Sequence, residues 1–193
     1  NDAVETVSYD PDGAKKLLEE SGWKDTDGDG YVDKDGEKLS INWLTYPTRL
    51  EQPKLAEYAQ ATLKDIGIDV VVNNTSDHMT IAKSGDFDVY VSSTTTAPTG
   101  DPEYFFTSTV TGSKNYGNYQ NEEVTKLTDQ LHQTFDKDER AKLAVELQQD
   151  ILDDDAFFFV SHLNMGIVTK SNVTGMAAHP CDYYEITADL DVK

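Results

Sequence analysis

The sequence has one cysteine, no long apolar run and few positive charges, and each shortage excludes a class of protein. Cys181 has no second cysteine to pair with, so the chain forms no internal disulfide, and we expect a small buried residue at that position. The longest purely apolar run, Ala156–Val160, is far too short to cross a membrane. The polar start over Asn1–Glu5 does not have the pattern of a signal peptide.

Positive charge is scarce: 16 lysines and arginines stand against 36 aspartates and glutamates, for a formal net charge of −20. Such a chain is repelled by phosphate backbones and anionic lipids, so we expect neither nucleic acid nor a membrane surface as a partner. With 37% hydrophobic residues among 193, the chain can still bury a core. Its length suits one domain, or one domain with pieces of a second.

Catalytic motifs are missing as well. The sequence contains no phosphate-binding glycine loop, CxxC pair, HExxH or GxSxG, and its 4 histidines are not at metal-ligand spacing. No nucleophile is accompanied by a base. These absences favour a binding protein over an enzyme.

The sequence does contain a strand–helix–strand pattern over Leu39–Asn74. Leu39–Thr45 alternates apolar and polar residues at its start, as a half-buried strand does, and Ile68–Val72 is rich in β-branched residues. Gly67 stands where a left-handed cap ends a helix. Between the strands, one helical face is predicted from the spacing of Leu55, Ala59, Leu63 and Ile66. The pattern predicts a right-handed parallel βαβ unit and therefore an α/β domain.

The start of this helix is ambiguous, and the ambiguity bears on function. Thr48 and Glu51 form a capping-box pair, whereas Pro53 favours the first helical position. In either case Tyr46 and Arg49 follow the carboxyl end of the first strand, where open α/β sheets bind ligands. A solvated charge explains Arg49 equally well.

Patterns on both sides predict further elements. Asp10 caps a helix that Gly22 ends, with Trp23 folded back onto Leu18. A short helix ends near Gly85, and a strand follows over Phe87–Val91. After it, the small and hydroxyl residues of 92–100 form a loop of the kind in which function tends to lie.

The second half is predicted to be mainly helical. A short aromatic helix follows Asp101, and Asn121 and Asp136 cap two longer helices that pack as a hairpin. The apolar faces of the hairpin are Val124, Leu127, Leu131 and Phe135 on one helix, and Leu143, Ala144, Leu147 and Ile151 on the other. Ala156–Val160 is predicted as a fully buried strand, and Gly166–Thr169 and Tyr183–Ala188 as short strands.

The segment Asp25–Gly36 has the spacing of a calcium-binding loop. Four carboxylates stand at loop positions one, three, five and nine, as in an EF-hand, and they belong to Asp25, Asp27, Asp29 and Asp33. Gly36 replaces the bidentate glutamate at position twelve. The alternative is a glycine-rich turn whose aspartates cap their own backbone. Structural calcium is therefore the one inorganic group that the sequence suggests, and no cofactor is required.

Several loop residues are candidates for a ligand pocket. Tyr116 and Tyr119 lie in a glycine- and asparagine-bearing loop, where they either line a pocket or pack against the core. His162 and His179 fall near the expected ligand edge, although a lone histidine in such a place is more often structural.

Six segments of the chain, taken together and in order, resemble one known family. They are Tyr9–Trp23, Asp25–Asp35, Leu39–Val72, Asp101–Phe105, Asn115–Tyr119 and the helix that ends at Ile151–Asp154. They are similar to the carboxyl-terminal part of the family 5 extracellular solute-binding proteins of bacterial ABC transporters, which include oligopeptide, dipeptide and nickel or nickel-chelate binders. The resemblance covers nearly the whole chain.

The resemblance implies a periplasmic-binding-protein-like lobe (type II, cluster C-like) with βαβ units and a helical hairpin. Family members have two lobes, so residues 1–162 would form the carboxyl-terminal lobe and residues 163–193 would return to the missing amino-terminal lobe. Residues from about Met165 onward should therefore pack less fully than the core. The implied function is substrate capture for an importer, with a permease as partner. The implied location is extracellular, as a membrane-anchored lipoprotein or a periplasmic protein.

The resemblance also implies a ligand. Peptide binders of the family usually carry an aspartate three residues before the Asp-Pro motif, and Pro98 stands there in this chain. The surroundings of Tyr46, Thr96 and His162 instead resemble the nickel or metallophore subgroup, although no histidine follows the Asp-Pro motif between Thr107 and Tyr119. The expected ligand is thus nickel or a metal chelate, with an oligopeptide or dipeptide as the alternative. The implied contact residues are Tyr46, Arg49, Thr96, Pro98, Tyr116 and His162.

Overall fold

The computed structural model describes residues 3–164, 166–179 and 186–193. The chain divides into two compact units: Val7–Ser93 with Tyr116–Asn118, and the described residues of Asn1–Thr6, Thr94–Asn115 and Tyr119–Lys193. We call them the sheet unit and the helical unit. None of the helices in the described residues is long and apolar enough to cross a membrane. The predicted division at residue 162 stays a prediction.

The sheet unit contains three helices and two small sheets. Its elements are α1 (Pro11–Glu20), β1 (Asp33–Lys34), β2 (Glu37–Lys38), β3 (Ser40–Thr45), α2 (Glu51–Lys64), β4 (Asp69–Asn74), α3 (His78–Ser84) and β5 (Val89–Tyr90). β1 and β2 form an antiparallel pair, and the other strands form a sheet in the order β4-β3-β5.

The predicted βαβ unit is confirmed. β3 pairs with β4 in parallel, from Ser40 opposite Asp69 to Thr45 opposite Asn74, and β5 joins the other side of β3 in parallel. β3 therefore lies in the middle of the sheet, and Leu44 is fully buried there. Because all three strands run the same way, their carboxyl ends meet at one edge.

Neither predicted start signal is used by α2. The helix begins at Glu51 after Leu50, which has helical backbone angles and makes no side-chain capping bond. Pro53 lies at the third helical position, where its missing N–H costs no hydrogen bond because the first turn has no backbone partners. The most buried positions of α2 are Gln52 and Ala56.

The helix ends of the sheet unit follow the sequence closely. The Asp10 carboxylate accepts the Gly13 N–H at 2.9 Å, and the Trp23 N–H donates to the Leu18 carbonyl at 2.9 Å, as predicted. Gly67 has a φ of 82°, which places the residue in the left-handed region that ends α2.

The helical unit contains α4 (Glu103–Phe105), a π-helical turn (Phe106–Val110), α5 (Glu122–Gln133), α6 (Lys137–Asp153) and a short antiparallel pair of β6 (Val173–Thr174) with β7 (Asp191–Val192). Asn121 and Asp136 cap α5 and α6 as predicted. The core of the unit combines α4, the π-helical turn and the facing sides of α5 and α6. Phe135 does not join this core: it lies beyond the end of α5 and is 94% exposed.

The prediction of a buried strand at Ala156–Val160 is wrong. The segment has no strand in the structure, and Phe158 is 88% exposed. Phe157 and Phe159 instead pack on the ring of Phe105, with centroids 5.8 and 5.7 Å away. Aromatic contacts with α4 thus replace the strand pairing that the apolar run suggested.

The predicted strand at Gly166–Thr169 is also absent. The strand found in this region is β6, which begins later, at Val173. Cys181 and the first residues of the predicted strand Tyr183–Ala188 lie outside the described residues, and residues 186–188 form no strand. The described residues after 165 are exposed or half-buried, as expected for a segment that packs less fully than the core.

Candidate functional site

Tyr46 lies at the carboxyl end of β3 and is almost completely buried. Its ring stacks on the imidazole of His78, with centroids 4.1 Å apart and an interplanar angle of 18°. His78 is the first residue of α3, which follows β4. Tyr46 and His78 therefore follow the carboxyl ends of two neighbouring strands at the same edge of the sheet.

Tyr90 extends this group from β5. Its hydroxyl lies 2.8 Å from Nδ1 of His78, and its ring is 6.4 Å from that of Tyr46. On the other side, the rings of Tyr90 and Tyr116 meet edge to face at 6.2 Å. Burial raises the pKa of Tyr90, so this hydroxyl stays a neutral hydrogen-bonding group at ordinary pH. We call Tyr46, His78, Tyr90 and Tyr116 the aromatic cluster.

Ser93 ties the aromatic cluster to the start of α2. Its N–H donates to the Tyr46 hydroxyl at 3.3 Å, and its own hydroxyl accepts Nε2 of Gln52 at 2.8 Å. Oε1 of Gln52 and Oγ1 of Thr45 are buried without a partner among the described residues. The carboxyl end of β3 therefore has buried polar groups in the residues next to the aromatic cluster.

The structure brings together two of the predicted ligand residues. Tyr46 and Tyr116 both contact Tyr90, and Arg49 is exposed in the loop that leads from β3 to α2. The other predicted residues, Thr96, Pro98 and His162, belong to the helical unit; Pro98 is buried there, whereas Thr96 and His162 are exposed. No observation tests the predicted ligand contacts, which stay predictions.

The sequence prediction missed His78 and Tyr90. Both follow from the rule that identified Tyr46, because Tyr90 ends the third parallel strand and His78 begins the helix after the second. Periodicity did not single them out, since neither residue stands in a motif.

Tyr119 has a packing role rather than a position in the aromatic cluster. Its ring lies edge to face with that of Phe157 at 6.2 Å, and its hydroxyl donates to the Asp154 carboxylate at 2.6 Å. Burial and this carboxylate raise the pKa of Tyr119. The loop that carries both tyrosines thus sends each of them to a different compact unit.

The Asp-Pro motif is held by an arginine of α6. Nε and Nη2 of Arg140 donate to the two carboxylate oxygens of Asp101 at 3.0 and 2.6 Å, and Nη2 also donates to Glu103 at 2.8 Å. His132 contacts the other oxygen of Glu103 at 2.6 Å. Asp101 therefore has a structural role in this chain, because both of its carboxylate oxygens already accept hydrogen bonds from Arg140.

The segment Asp25–Gly36, which we call the acidic loop, has features of both interpretations that the sequence leaves open. Carboxylate oxygens of Asp25, Asp27 and Asp29 lie within 4.8 Å of one another, and all three residues are exposed. Yet Asp25 accepts the N–H groups of Gly28 and Gly30, as a self-capping turn would.

Two further contacts occupy carboxylates of this loop. Asp29 accepts the Lys38 ammonium, whose hydrogen bond lowers the pKa of Asp29. Asp33 lies outside the group of three: both of its oxygens accept groups of Thr26, which lower the pKa of Asp33. Calcium at these four aspartates stays a prediction.

Comparisons with known proteins cover most of the chain. The family described as bacterial extracellular solute-binding proteins, family 5 Middle, matches residues 1–117. The oligopeptide-binding protein AppA of Bacillus subtilis is 30% identical over 189 residues, which is 95% of this chain and 35% of AppA. The nickel-binding protein NikA of Staphylococcus aureus is 31% identical over 122 residues, or 62% of this chain and 24% of NikA.

A solved structure gives the same result. The structure of AppA from Bacillus subtilis, in complex with a nonapeptide, superposes with a TM-score of 0.77 at 29% identity, covering 93% of this chain and 37% of AppA. The chain therefore spans about a third of the length of AppA.

Proposed function

Because the chain belongs to the bacterial extracellular solute-binding proteins of family 5, we propose that it is part of a protein that captures a small ligand for the permease of an ABC importer. The family consists of binding proteins rather than enzymes, and its members are periplasmic or extracellular. The α/β fold expected from the sequence is that of periplasmic binding proteins of this type. Anchoring as a lipoprotein is part of the proposal.

The proposed architecture has two lobes. Residues 1–162 form the carboxyl-terminal lobe, and residues 163–193 return to an amino-terminal lobe that is not part of this chain. The exposure of apolar side chains after residue 165, such as Ile167 at 40% and Val168 at 96%, supports this arrangement, because exposed apolar surface is typical of interaction sites. Two-lobed binding proteins close around a ligand by hinge motion, so each lobe supplies part of the site.

The aromatic cluster is the observation that carries the proposal. It lies at the carboxyl edge of a parallel sheet, where α/β proteins bind ligands, and it holds the half-buried rings of His78, Tyr90 and Tyr116 in a fixed arrangement with the buried Tyr46. Arg49, beside it in sequence, offers a cation for a ligand carboxylate. Thr96, Pro98 and His162 complete the proposed contact residues.

A metal chelate, such as nickel held by a small organic chelator, is the first candidate ligand. Pro98 has no side-chain acceptor for an ammonium group, and Asp101 is occupied by Arg140, so these positions offer no carboxylate to a peptide amino group. Similarity to the nickel-binding protein of Staphylococcus aureus also favours this ligand. The chelator would fill the coordination positions of the metal, and the protein would contact the chelator.

An oligopeptide is the second candidate, and one observation favours it specifically. The likeness to the peptide-binding AppA extends over 95% of the chain, whereas that to the nickel-binding protein covers 62%. Backbone amides of a peptide would suit the hydroxyls and ring faces of the aromatic cluster.

The ligand class is tested by native mass spectrometry of the full-length protein, purified without added ligand. A mass excess that contains nickel and a chelator supports the first candidate, and a distribution of peptide masses supports the second. Calorimetry with Tyr46→Ala then tests the site: binding should weaken at least about tenfold, since an aromatic contact and its buried area are lost. Tyr58→Ala, on the exposed side of α2, is the matched control. Equal binding by both variants would remove the aromatic cluster from the site.

A further inference from the structure

The sheet unit has an open pocket at the other end of its sheet from the aromatic cluster. The pocket has a volume of about 420 Å³, within the range of roughly 300–1,000 Å³ that is usual for small-molecule sites. It is lined by Ile66, which precedes β4, and by Val32, whose N–H donates to the Gly67 carbonyl at 2.7 Å. These residues lie at the amino ends of the parallel strands, whereas Tyr46 follows the carboxyl end of β3.

The floor of this pocket is apolar and held in place by backbone hydrogen bonds. Leu18 and the half-buried indole of Trp23 join Val32 and Ile66 in lining it. The backbone N–H of Trp23 donates to the Leu18 carbonyl. The backbone of the next residue, Lys24, exchanges two hydrogen bonds with the backbone of Asp33 at 3.0 and 2.8 Å. These bonds fix the backbone beneath the apolar floor, whereas Lys15, Glu19 and Lys24 line the pocket with exposed side chains. We call it the Trp23 pocket.

Three lysines lie at or near the Trp23 pocket. Lys15 and Lys24 line it, and the Lys34 ammonium lies 6.0 Å from the centre of the Trp23 ring while it donates to the Ser21 carbonyl at 2.9 Å. Within the described part of the chain, neither Lys15 nor Lys24 forms an ion pair. The charges of Lys15 and Lys24 offset those of Glu19 and Asp25, which also line the pocket, so the lining has no net charge in a chain of net −20.

Two carboxylates also line the Trp23 pocket, and they differ in availability. Both oxygens of Asp25 accept backbone N–H groups of its own loop, at 2.7 and 3.0 Å. Both carboxylates are negative and oppose an anion in the pocket, but the charge of Asp25 is already stabilised by these two N–H groups, whereas Glu19 is exposed on α1. Its removal should therefore strengthen anion binding.

We propose that the Trp23 pocket binds a small organic anion with a flat apolar body, of the aromatic carboxylate class. The ring of such a ligand covers the indole and the aliphatic floor, and its carboxylate reaches the ammonium groups of Lys15 and Lys24. A purely apolar ligand would leave these two cations unused. The Trp23 pocket is separate from the aromatic cluster, and this proposal does not depend on which ligand the aromatic cluster binds.

The proposal is tested with the full chain and two probes of equal shape, 1-naphthoate and the neutral 1-naphthalenemethanol. Calorimetry should show the acid binding about tenfold more tightly than the alcohol at low salt, and this preference should shrink at high salt because surface charges are screened. The indole Nε1–H resonance of Trp23 should shift with the acid. Absence of acid binding at millimolar concentration, or equal binding of acid and alcohol, would overturn the proposal.

Variants locate the effect. Lys15→Ala with Lys24→Ala should weaken binding of the acid about tenfold and leave the alcohol unchanged, whereas Glu19→Gln should tighten binding of the acid. Lys83→Ala, an exposed lysine of α3 in the same unit, is the matched control and should change neither. Thermal melting confirms that each variant is folded. Unchanged affinity in the double lysine variant would also overturn the proposal.

Discussion

At the residue scale, Arg140 shows how much one side chain can organise. With 14% of its side chain exposed, it bonds the carboxylates of Asp101 and Glu103 and also the carbonyls of Leu131 and Thr134, each at 2.6 Å. The two carbonyls belong to the end of α5, so one guanidinium joins α6, the end of α5 and the start of α4. The planar fork of arginine suits this task in a way that a lysine ammonium does not.

The substitution Arg140→Ala should lower the free energy of unfolding by about 3 kcal/mol, because it leaves two partly buried carboxylates without their counter-charge. Arg140→Lys should recover only part of this loss. Urea denaturation measures both. The control is Lys142→Ala, because the pair of Lys142 with Glu139 is largely exposed and should contribute little to stability. If Arg140→Ala lowers the free energy of unfolding no more than the control does, the hydrogen bonds of Arg140 do not stabilise the fold.

The same contacts predict a pH dependence. Burial raises the pKa of Asp101, but hydrogen bonds from Arg140 and the Glu103 N–H outweigh it, so the pKa is lowered overall. Hydrogen bonds from Arg140 and His132 lower the pKa of Glu103. Groups with a depressed folded-state pKa stabilise the fold above their ordinary values of 3.8 and 4.5, and this contribution is lost as pH falls below them.

Urea midpoints measured from pH 6 down to about pH 3 should therefore fall more steeply for the natural chain than for Glu103→Gln. The variant has no carboxylate to protonate at position 103. The comparison between the two chains removes the contribution of the other acidic residues, which is common to both. Parallel curves would contradict the expectation.

At the element scale, the end of α2 depends on a glycine for two separate reasons. Gly67 has a left-handed φ of 82°, and a Cβ at this position would lie 2.9 Å from Cγ1 of Val32. Its carbonyl also accepts the Val32 N–H. The glycine thus ends the helix and lets the acidic loop pack against it.

The substitution Gly67→Ala should cost about 2 kcal/mol or more, from left-handed strain together with the Val32 clash. Gly85→Ala is the matched control, since Gly85 ends α3 with a φ of 77° but has open space around a Cβ. Gly85→Ala should lower the free energy of unfolding only by the left-handed backbone strain, about 1 kcal/mol. Urea unfolding of both variants measures the difference, and equal costs would mean that Val32 moves aside freely.

The acidic loop gives a second prediction at this scale. If Asp25, Asp27 and Asp29 hold calcium, millimolar Ca²⁺ should raise the melting temperature by mass action on the folded state, and Asp27→Ala should abolish the rise. Asp27 suits this test because it accepts only one N–H, that of Asp29 at 3.1 Å. Differential scanning fluorimetry with Ca²⁺ and with Mg²⁺ measures the effect. An unchanged melting temperature in Ca²⁺ would leave the self-capping turn as the explanation of the sequence.

At the scale of the whole molecule, the chain carries part of a proposed two-lobed site. The aromatic cluster belongs to the sheet unit, and the described tail after residue 165 leaves apolar side chains such as Val168 exposed. Both features suit a chain that covers 35% of the length of AppA.

The chain alone should therefore bind the cleft ligand weakly. If the intact protein binds at ~1 μM, its binding free energy is about −8 kcal/mol, and half of that corresponds to a Kd near ~1 mM. Calorimetry with nickel, with nickel plus histidine and with short peptides measures this. Micromolar binding of a peptide by the chain alone would contradict both the chelate ligand and the need for a second lobe.

Elements whose causes are local could be predicted from the sequence. The caps at Asp10, Asn121 and Asp136 and the helix end at Gly67 are each set by a side chain and the backbone within a few residues of it. The parallel βαβ unit also followed, because its hydrophobic period and its handedness leave one arrangement. The family followed from six such segments in order.

Tertiary structure alone decided the features that depend on a neighbour distant in sequence. The apolar run Ala156–Val160 packs by aromatic contact with Phe105 instead of forming a strand, since a strand needs a partner that local pattern does not supply. Likewise, His78 and Tyr90 became part of the aromatic cluster only because parallel strands bring their ends to one edge. Burial and pairing are properties of the assembled sheet and core, and a single stretch of sequence does not contain them.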